Sequence, residues 1–310
     1  MKKRTKYPFH PDFQKWANFN PPLNKASIFF IQGLMKLIYF GEKSDENVEV
    51  LKLKIPNGKE DIKALLYSPK DIEKNAPCLV YYHGGGFVIP GAPYHYNNCR
   101  KYALGARCKV LYVDYPLAPE NQYPEPVYAC YNAYLWLLEN AERFSIDKTR
   151  VALGGDSAGG NLASVVAMMT HDKNDIKPCA LMIVYPATSS GKETESMKKF
   201  TDTPLCNSKD FKKYCKLYFK SKKDLETRYV SPMKAEDFSI FPPTYVETAE
   251  FDCLRDDAIL FAKELKKAGV ETTLNETKET IHGYDMVEDS SITKENLEKR
   301  MMFLKTYLEK

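Results

Sequence analysis

An apolar run, a glycine-rich turn and a helical pattern follow one another without a gap between Val151 and Met169. Val151-Ala152-Leu153 reads as a short strand buried on both faces, Gly154 to Gly160 as a tight turn, and residues 161–169 as the helix leaving it. A strand that runs straight into a helix sends the chain back across the sheet, so the next strand lies parallel to it. The same rhythm recurs elsewhere. Residues 78–82, 110–113 and 181–184 are short apolar runs with helical patterns between them. The clearest helix spans 127–138, with Pro124 and Pro126 at its start, where a missing amide hydrogen leaves nothing unpaired. Later, 245–247 and 270–274 read as strands, separated by a helix with Leu254, Ala258, Phe261 and Leu265 on one face and Gly269 as its stop. Leu297, Met301, Leu304 and Leu308 mark a closing helix. The pattern predicts an α/β fold with a mostly parallel central sheet flanked by helices.

Ahead of this core, residues 48–55 alternate apolar and charged side chains, Asn57-Gly58 is a turn signal, and 62–67 resume an extended pattern, which together predict an antiparallel hairpin. Two stretches fall outside the rhythm: residues 1 to about 44, and a Lys-rich, aromatic segment from 188 to about 238. Both are candidates for a cap on a single domain spanning 1–310. The apolar segment 28–40 is too short to span a bilayer and contains Gln32 and Lys36. Its Ile28, Ile31, Met35 and Ile38 recur at helical spacing and predict an amphipathic helix that packs on the core or lines a pocket.

Composition excludes several function classes. The 310 residues carry 45 basic and 41 acidic side chains, scattered along the chain, so no basic stripe suited to nucleic acid is present. The eight cysteines (Cys78, Cys99, Cys108, Cys130, Cys179, Cys206, Cys215, Cys253) stand far apart without C-x-x-C spacing and read as reduced, small apolar residues rather than metal ligands. Met1-Lys2-Lys3-Arg4 is basic, but no apolar run follows it as in a secretory signal, and a cytoplasmic location is expected.

The chemistry concentrates in two glycine motifs. Gly155-Asp156-Ser157-Ala158-Gly159, placed between strand and helix, forces the serine into a strained turn and pushes its hydroxyl clear of the sheet. A turn that merely reverses the chain, or binds an anion, is the alternative for this motif alone. His83-Gly84-Gly85-Gly86-Phe87 follows the 78–82 strand, where consecutive glycines free backbone amides to point inward. The amides of Gly84, Gly85, Gly86 and Ala158 are the expected oxyanion donors, each supplying roughly 3 kcal/mol when charge develops on a carbonyl oxygen. His83 is expected to hold its loop rather than move protons.

A serine hydroxyl needs a base, and the base an orienting acid. Of His10, His83, His95, His171 and His282, only His282 lies after the last core strand, on a loop where Gly283 permits a sharp bend. Asp252 follows the preceding strand, while Asp256 and Asp257 suit a helix start. Ser157, Asp252 and His282 therefore occur in the chain order of α/β-hydrolases. Taken singly, Asp252 could cap a helix and His282 could be an ordinary loop residue; together they predict acyl transfer through a Ser157 acyl-enzyme.

With these motifs placed, residues 78 to about 290 resemble the hormone-sensitive-lipase-like family of α/β-hydrolases, which includes bacterial carboxylesterases and acetyl esterases. Asp114-Tyr115-Pro116-Leu117-Ala118-Pro119-Glu120 and residues 252–257 match two further family stretches. Pro116 departs from the arginine usual there, so an ion pair is missing or replaced. The resemblance implies an α/β-hydrolase fold and a cap built from the N-terminal segment and the insertion after 188. It also implies hydrolysis of short- to medium-chain esters without metal or organic cofactor, by a monomer or homodimer. Three rivals share the same residues: an amidase or formamidase, a non-catalytic ligand receptor of the gibberellin-receptor kind, and a lipase that uses the 28–40 helix at membrane surfaces.

Overall fold

The computed structural model describes residues 6–17, 19–20, 23–58, 60–189 and 193–309. Eight strands form one sheet: β1 (Val48–Ile55), β2 (Ile62–Pro69), β3 (Ala76–Tyr82), β4 (Lys109–Asp114), β5 (Ile146–Asp156), β6 (Leu181–Val184), β7 (Thr244–Thr248) and β8 (Thr272–Glu276). Their order is β1-β2-β4-β3-β5-β6-β7-β8. The hairpin β1–β2 pairs Ile55 with Ile62, β2 meets β4 antiparallel, and every later pairing is parallel. This is the mostly parallel sheet that the alternating apolar runs predict.

β3 is buried along its whole length, and its alternate residues serve two different layers. Val80 and Tyr82 join a cluster with α3 (Glu125–Glu139), α4 (Ala158–Asp172) and α7 (Arg255–Lys267), whereas Leu79 and Tyr81 face α2 (Pro93–Gly105) and α8 (Ser291–Leu308). Period-two alternation thus feeds apolar side chains to both helical layers, which is why the strand reads as a continuous apolar run.

Two sequence boundaries shift. β5 starts at Ile146, well before the apolar run, because Asp147 to Arg150 extend the strand with a polar, partly exposed stretch. The last strand runs from Thr272 rather than Val270, since the Val270 amide still donates to Leu265 O as part of the helix end, with Gly269 at φ 81°.

The segments outside the core rhythm gather at the C-terminal edge of the sheet. α1 (Lys25–Gly41) buries Ile28, while Phe29, Phe30 and Leu37 face outward. Gln32 Nε2 donates to Val88 O at 3.0 Å and Ala118 O at 3.2 Å, which pins the helix over the glycine loop. The insertion contributes α5 (Glu195–Lys199) and α6 (Ser208–Tyr218) followed by short 3-10 turns. It meets the N-terminal segment directly, through Leu205 N–H to Phe19 O at 2.9 Å and Tyr7 OH to Asp202 Oδ1 at 2.6 Å. Among the described residues, no helix is long and apolar enough to cross a membrane.

Candidate active site

Ser157 leaves β5 at φ 53°, ψ −117°, a backbone conformation that costs a non-glycine residue of order 1–3 kcal/mol. The surroundings hold it there. Ser157 N–H donates to Val184 O at 2.9 Å, and Ala187 N–H donates to Ser157 O at 3.1 Å. The turn needs Gly159 because a Cβ there would run into the Tyr82 carbonyl. The strained turn expected from the motif is therefore present, with Ser157 at its apex and α4 leaving behind it.

The sheet register brings the other two residues together. An isolated parallel bridge pairs Phe251 with Ile281 beyond the ends of β7 and β8, so the next residues, Asp252 and His282, lie side by side. His282 Nδ1 is 2.6 Å from Asp252 Oδ2, and His282 Nε2 is 2.9 Å from Ser157 Oγ. Asp252 Oδ1 accepts the Leu254 amide at 2.9 Å, which fixes the carboxylate plane. Because the carboxylate can only accept, Nδ1 carries a proton and Nε2 is the nitrogen presented to the serine. Gly283 sits in the left-handed region at φ 68°, as the bend after His282 requires. Burial opposes charge on the imidazole, but the Asp252 carboxylate outweighs it, and the pKa rises from 6.5 to about 9.

Asp156, inside the motif, has a role that sequence reasoning missed. Its buried carboxylate accepts Tyr81 OH at 2.7 Å, the Gly84 amide at 2.9 Å and faces His95 Nε2 at 3.2 Å. His95 Nδ1 accepts the Ala92 amide at 2.8 Å, so the ring proton sits on Nε2 and points at Asp156. Burial pushes the Asp156 carboxyl up, yet His95 and Tyr81 together overcome it and hold the pKa down at about 2. The signal was available: an ionisable residue in a buried turn must be paired, although its partners cannot be named from sequence.

This network corrects one expectation. The Gly84 amide is committed to Asp156 and Gly84 does not border the cavity, so it leaves the set of oxyanion donors. Gly85, Gly86 and Ala158 do border it. Gly86 holds φ 62° with the Tyr214 ring where a Cβ would lie. His83 lies apart, stacked on Tyr115 at 4.4 Å between ring centroids, with Nδ1 2.6 Å from Gly84 O. Burial and the neighbouring His95 lower its pKa to about 3.

Ser157 and His282 open into a cavity of about 340 Å³. Its walls are mostly apolar: Trp16, Phe19, Ile31 and Met35 from the N-terminal segment, and Leu205, Phe211 and Tyr214 from the insertion. The expected helix over 28–40 thus lines the pocket. Tyr185, also unforeseen, packs its ring 4.8 Å from that of His282 and donates to Asp285 Oδ2 at 3.2 Å. No group of side chains suited to a metal ion occurs among the described residues.

The sequence model of the alpha/beta hydrolase fold family matches residues 79–286. The chain belongs to that family. Carboxylesterase NlhH of Mycobacterium tuberculosis is 34% identical to this hydrolase over 232 residues, covering 74% of this chain and 72% of the relative. The arylesterase of Saccharolobus solfataricus is 32% identical over 245 residues, covering 79% and 77%. Among solved structures, a bacterial heroin esterase superposes on this hydrolase with a TM-score of 0.87 at 28% identity, over 97% of this chain and 98% of that one. The hormone-sensitive-lipase-like resemblance and the α/β-hydrolase fold implied by the motifs both hold.

Proposed function

We propose that this carboxylic ester hydrolase acts through Ser157 as nucleophile, His282 as general base and then acid, and Asp252 as the group that orients and stabilises His282. The single observation that supports this most strongly is the continuous line from Asp252 Oδ2 to His282 Nδ1, 2.6 Å, and from His282 Nε2 to Ser157 Oγ, 2.9 Å, ending in an apolar cavity. His282 takes the Ser157 proton as Oγ attacks the ester carbonyl, and the same proton passes to the departing alkoxide. Water, deprotonated by His282, then attacks the acyl-Ser157 ester and releases the acid. The negative oxygen formed in both steps is held by amides of Gly85, Gly86 and Ala158, which line the cavity at the helix start and glycine loop.

The N-terminal segment and the insertion serve as a cap that sets substrate size. About 340 Å³ of mostly apolar space suits a small ester with a short to medium acyl chain and offers little for a charged one. An ester series from acetyl upward tests this. Each added methylene should raise kcat/KM by up to about fourfold, from roughly 0.8 kcal/mol of burial, until the cavity is full, after which it should fall. Matched amides should be turned over far more slowly. A chain-length profile that rises without a break, or amides cleaved as fast as esters, contradicts the reading.

A further inference from the structure

Cys206 and Cys253 are 47 positions apart in sequence, yet their sulfur atoms lie 4.0 Å from each other. Both thiols are free. Cys206 belongs to the insertion and lines the cavity that holds Ser157 and His282, so a small solute in the cavity reaches it. Cys253 is fully buried behind it and is the residue immediately after Asp252. Both sit in the apolar cluster where Phe200, Tyr7 and Phe251 join the insertion and N-terminal segment to the acid loop.

The two thiols are chemically unequal. The two sulfur atoms share a hydrogen bond in which either can donate, and this contact lowers the Cys206 pKa against the effect of burial, with His282 adding to the fall. Cys253 is raised well above the ordinary thiol value by the same hydrogen bond and by burial. Cys215 also borders the cavity, but burial pushes its thiol up to about 12. A thiol that faces a cavity, with a second thiol 4.0 Å behind it, is the arrangement of an attacking and a resolving cysteine.

We propose that Cys206 and Cys253 form a peroxide-sensitive dithiol site whose oxidation to a disulfide ties the insertion to the Asp252 loop and slows ester hydrolysis. The Cys206 sulfur attacks one oxygen of hydrogen peroxide. The O–O bond breaks, a sulfenic acid forms, and hydroxide leaves with the thiol proton as water. The Cys253 sulfur then attacks the Cys206 sulfur. An S–S bond forms, the S–O bond breaks, and a second water leaves with the Cys253 proton. Two thiols and one peroxide thus give one disulfide and two waters, with two electrons passing from sulfur to oxygen.

Closure requires the sulfur atoms to approach from 4.0 Å to about 2.05 Å. Cys253 stands between the Asp252 carboxylate and the Leu254 amide that fixes it, and its own carbonyl accepts Ser196 Oγ at 2.9 Å. Drawing Cys253 toward the insertion therefore pulls on the residue that orients His282. The effect on turnover rests on the role given to Asp252 above; the cross-link itself does not.

The test treats the reduced full-length protein with hydrogen peroxide, blocks remaining thiols, and maps disulfides by mass spectrometry of a non-reducing digest. Ester turnover is followed before, after, and after dithiothreitol. The expected result is a Cys206–Cys253 peptide pair and a kcat lower by at least about tenfold, restored by dithiothreitol, since a displacement near 1 Å costs up to roughly 100-fold. Cys253→Ser, compared with its own reduced form, should form no such pair and should instead trap a dimedone adduct at Cys206. Cys215→Ser should keep the full response. Oxidation that cross-links other thiols but not this pair overturns the proposal, as does a cross-linked protein with unchanged kcat. Failure of the cross-link leaves the Ser157 assignment standing, whereas failure of that assignment shows independently as turnover that survives loss of Asp252 or Ser157.

Discussion

Asp252→Asn offers a quantitative test of how the site works. In the parent, the carboxylate accepts the His282 Nδ1 proton and is the main group, ahead of Cys206 and Asp156, that raises the imidazole pKa from 6.5 to about 9 against burial. That difference corresponds to about 3 kcal/mol of preference for imidazolium, the species that the proposed attack by Ser157 would form. Asparagine keeps the shape and retains an oxygen for the Leu254 amide now bound to Oδ1 at 2.9 Å. Its remaining group is then an NH₂ facing Nδ1. The ring must accept there, so Nε2 carries the proton and points it at Ser157. Loss of imidazolium stabilisation alone predicts a fall of up to a few hundred-fold in kcat, and the wrong tautomer extends it toward about 10⁴-fold. The pH profile carries a second signature. Below its pKa His282 holds a proton and cannot accept another, so parent kcat/KM should rise with pH through about 9, and the variant's residual activity should inflect lower, toward 6.5. Initial rates on a chromogenic ester across pH 5 to 10, roughly the span that brackets both values, read both effects. A variant within about tenfold of the parent, or with the same alkaline inflection, would refute the reasoning.

Two further outcomes follow from packing. Arg300 is fully buried between Glu247 and Asp285, with Nη1 2.7 Å from Asp285 Oδ2 and Nε 3.1 Å from Glu247 Oε2, so Arg300→Met strands two buried carboxylates. Arg300 also holds Tyr284 and Asp285 of the loop after His282, so urea unfolding should show a loss of about 3–5 kcal/mol, and an unchanged midpoint contradicts a structural role for this cluster. Gly86→Ala places a methyl group in the Tyr214 ring at a residue with φ 62°, so the glycine loop must shift. Displacing this proposed oxyanion donor should lower kcat by about 100-fold with a smaller change in KM, measured by ester kinetics, and an unchanged kcat excludes Gly86 from that role.

Much of this arrangement was legible because it is local. The β5 turn and α4 follow directly from an apolar run, glycines at fixed offsets and a helical pattern, and the hairpin at Asn57-Gly58 follows from alternation and a turn signal. The order Ser157, Asp252, His282 could be read because each stands after a recognisable strand. The features that escaped are made by distant residues. The Asp156 partners Tyr81 and His95 come from different elements, and nothing near Gly84 signals that its amide is already committed to Asp156. α2, expected only as a helical pattern between residues 82 and 110, received no bounds because its sequence, Pro93-Tyr94-His95-Tyr96-Asn97-Asn98-Cys99, is mostly polar and aromatic and lacks a clean apolar stripe. The cysteines looked isolated for the same reason: only the docking of the insertion on the acid loop brings Cys206 to Cys253.

The central claim is that Ser157 attacks the acyl carbon. A fluorophosphonate reacts with a serine only when that hydroxyl is activated as a nucleophile, so intact-mass measurement with peptide mapping tests the claim at the atom concerned. The account predicts one adduct per chain, located on Ser157, and for Ser157→Ala both no labelling and a loss of ester turnover approaching 10⁶-fold, an order-of-magnitude figure for removal of a triad serine. Labelling at another residue, or parental turnover in Ser157→Ala, would contradict it.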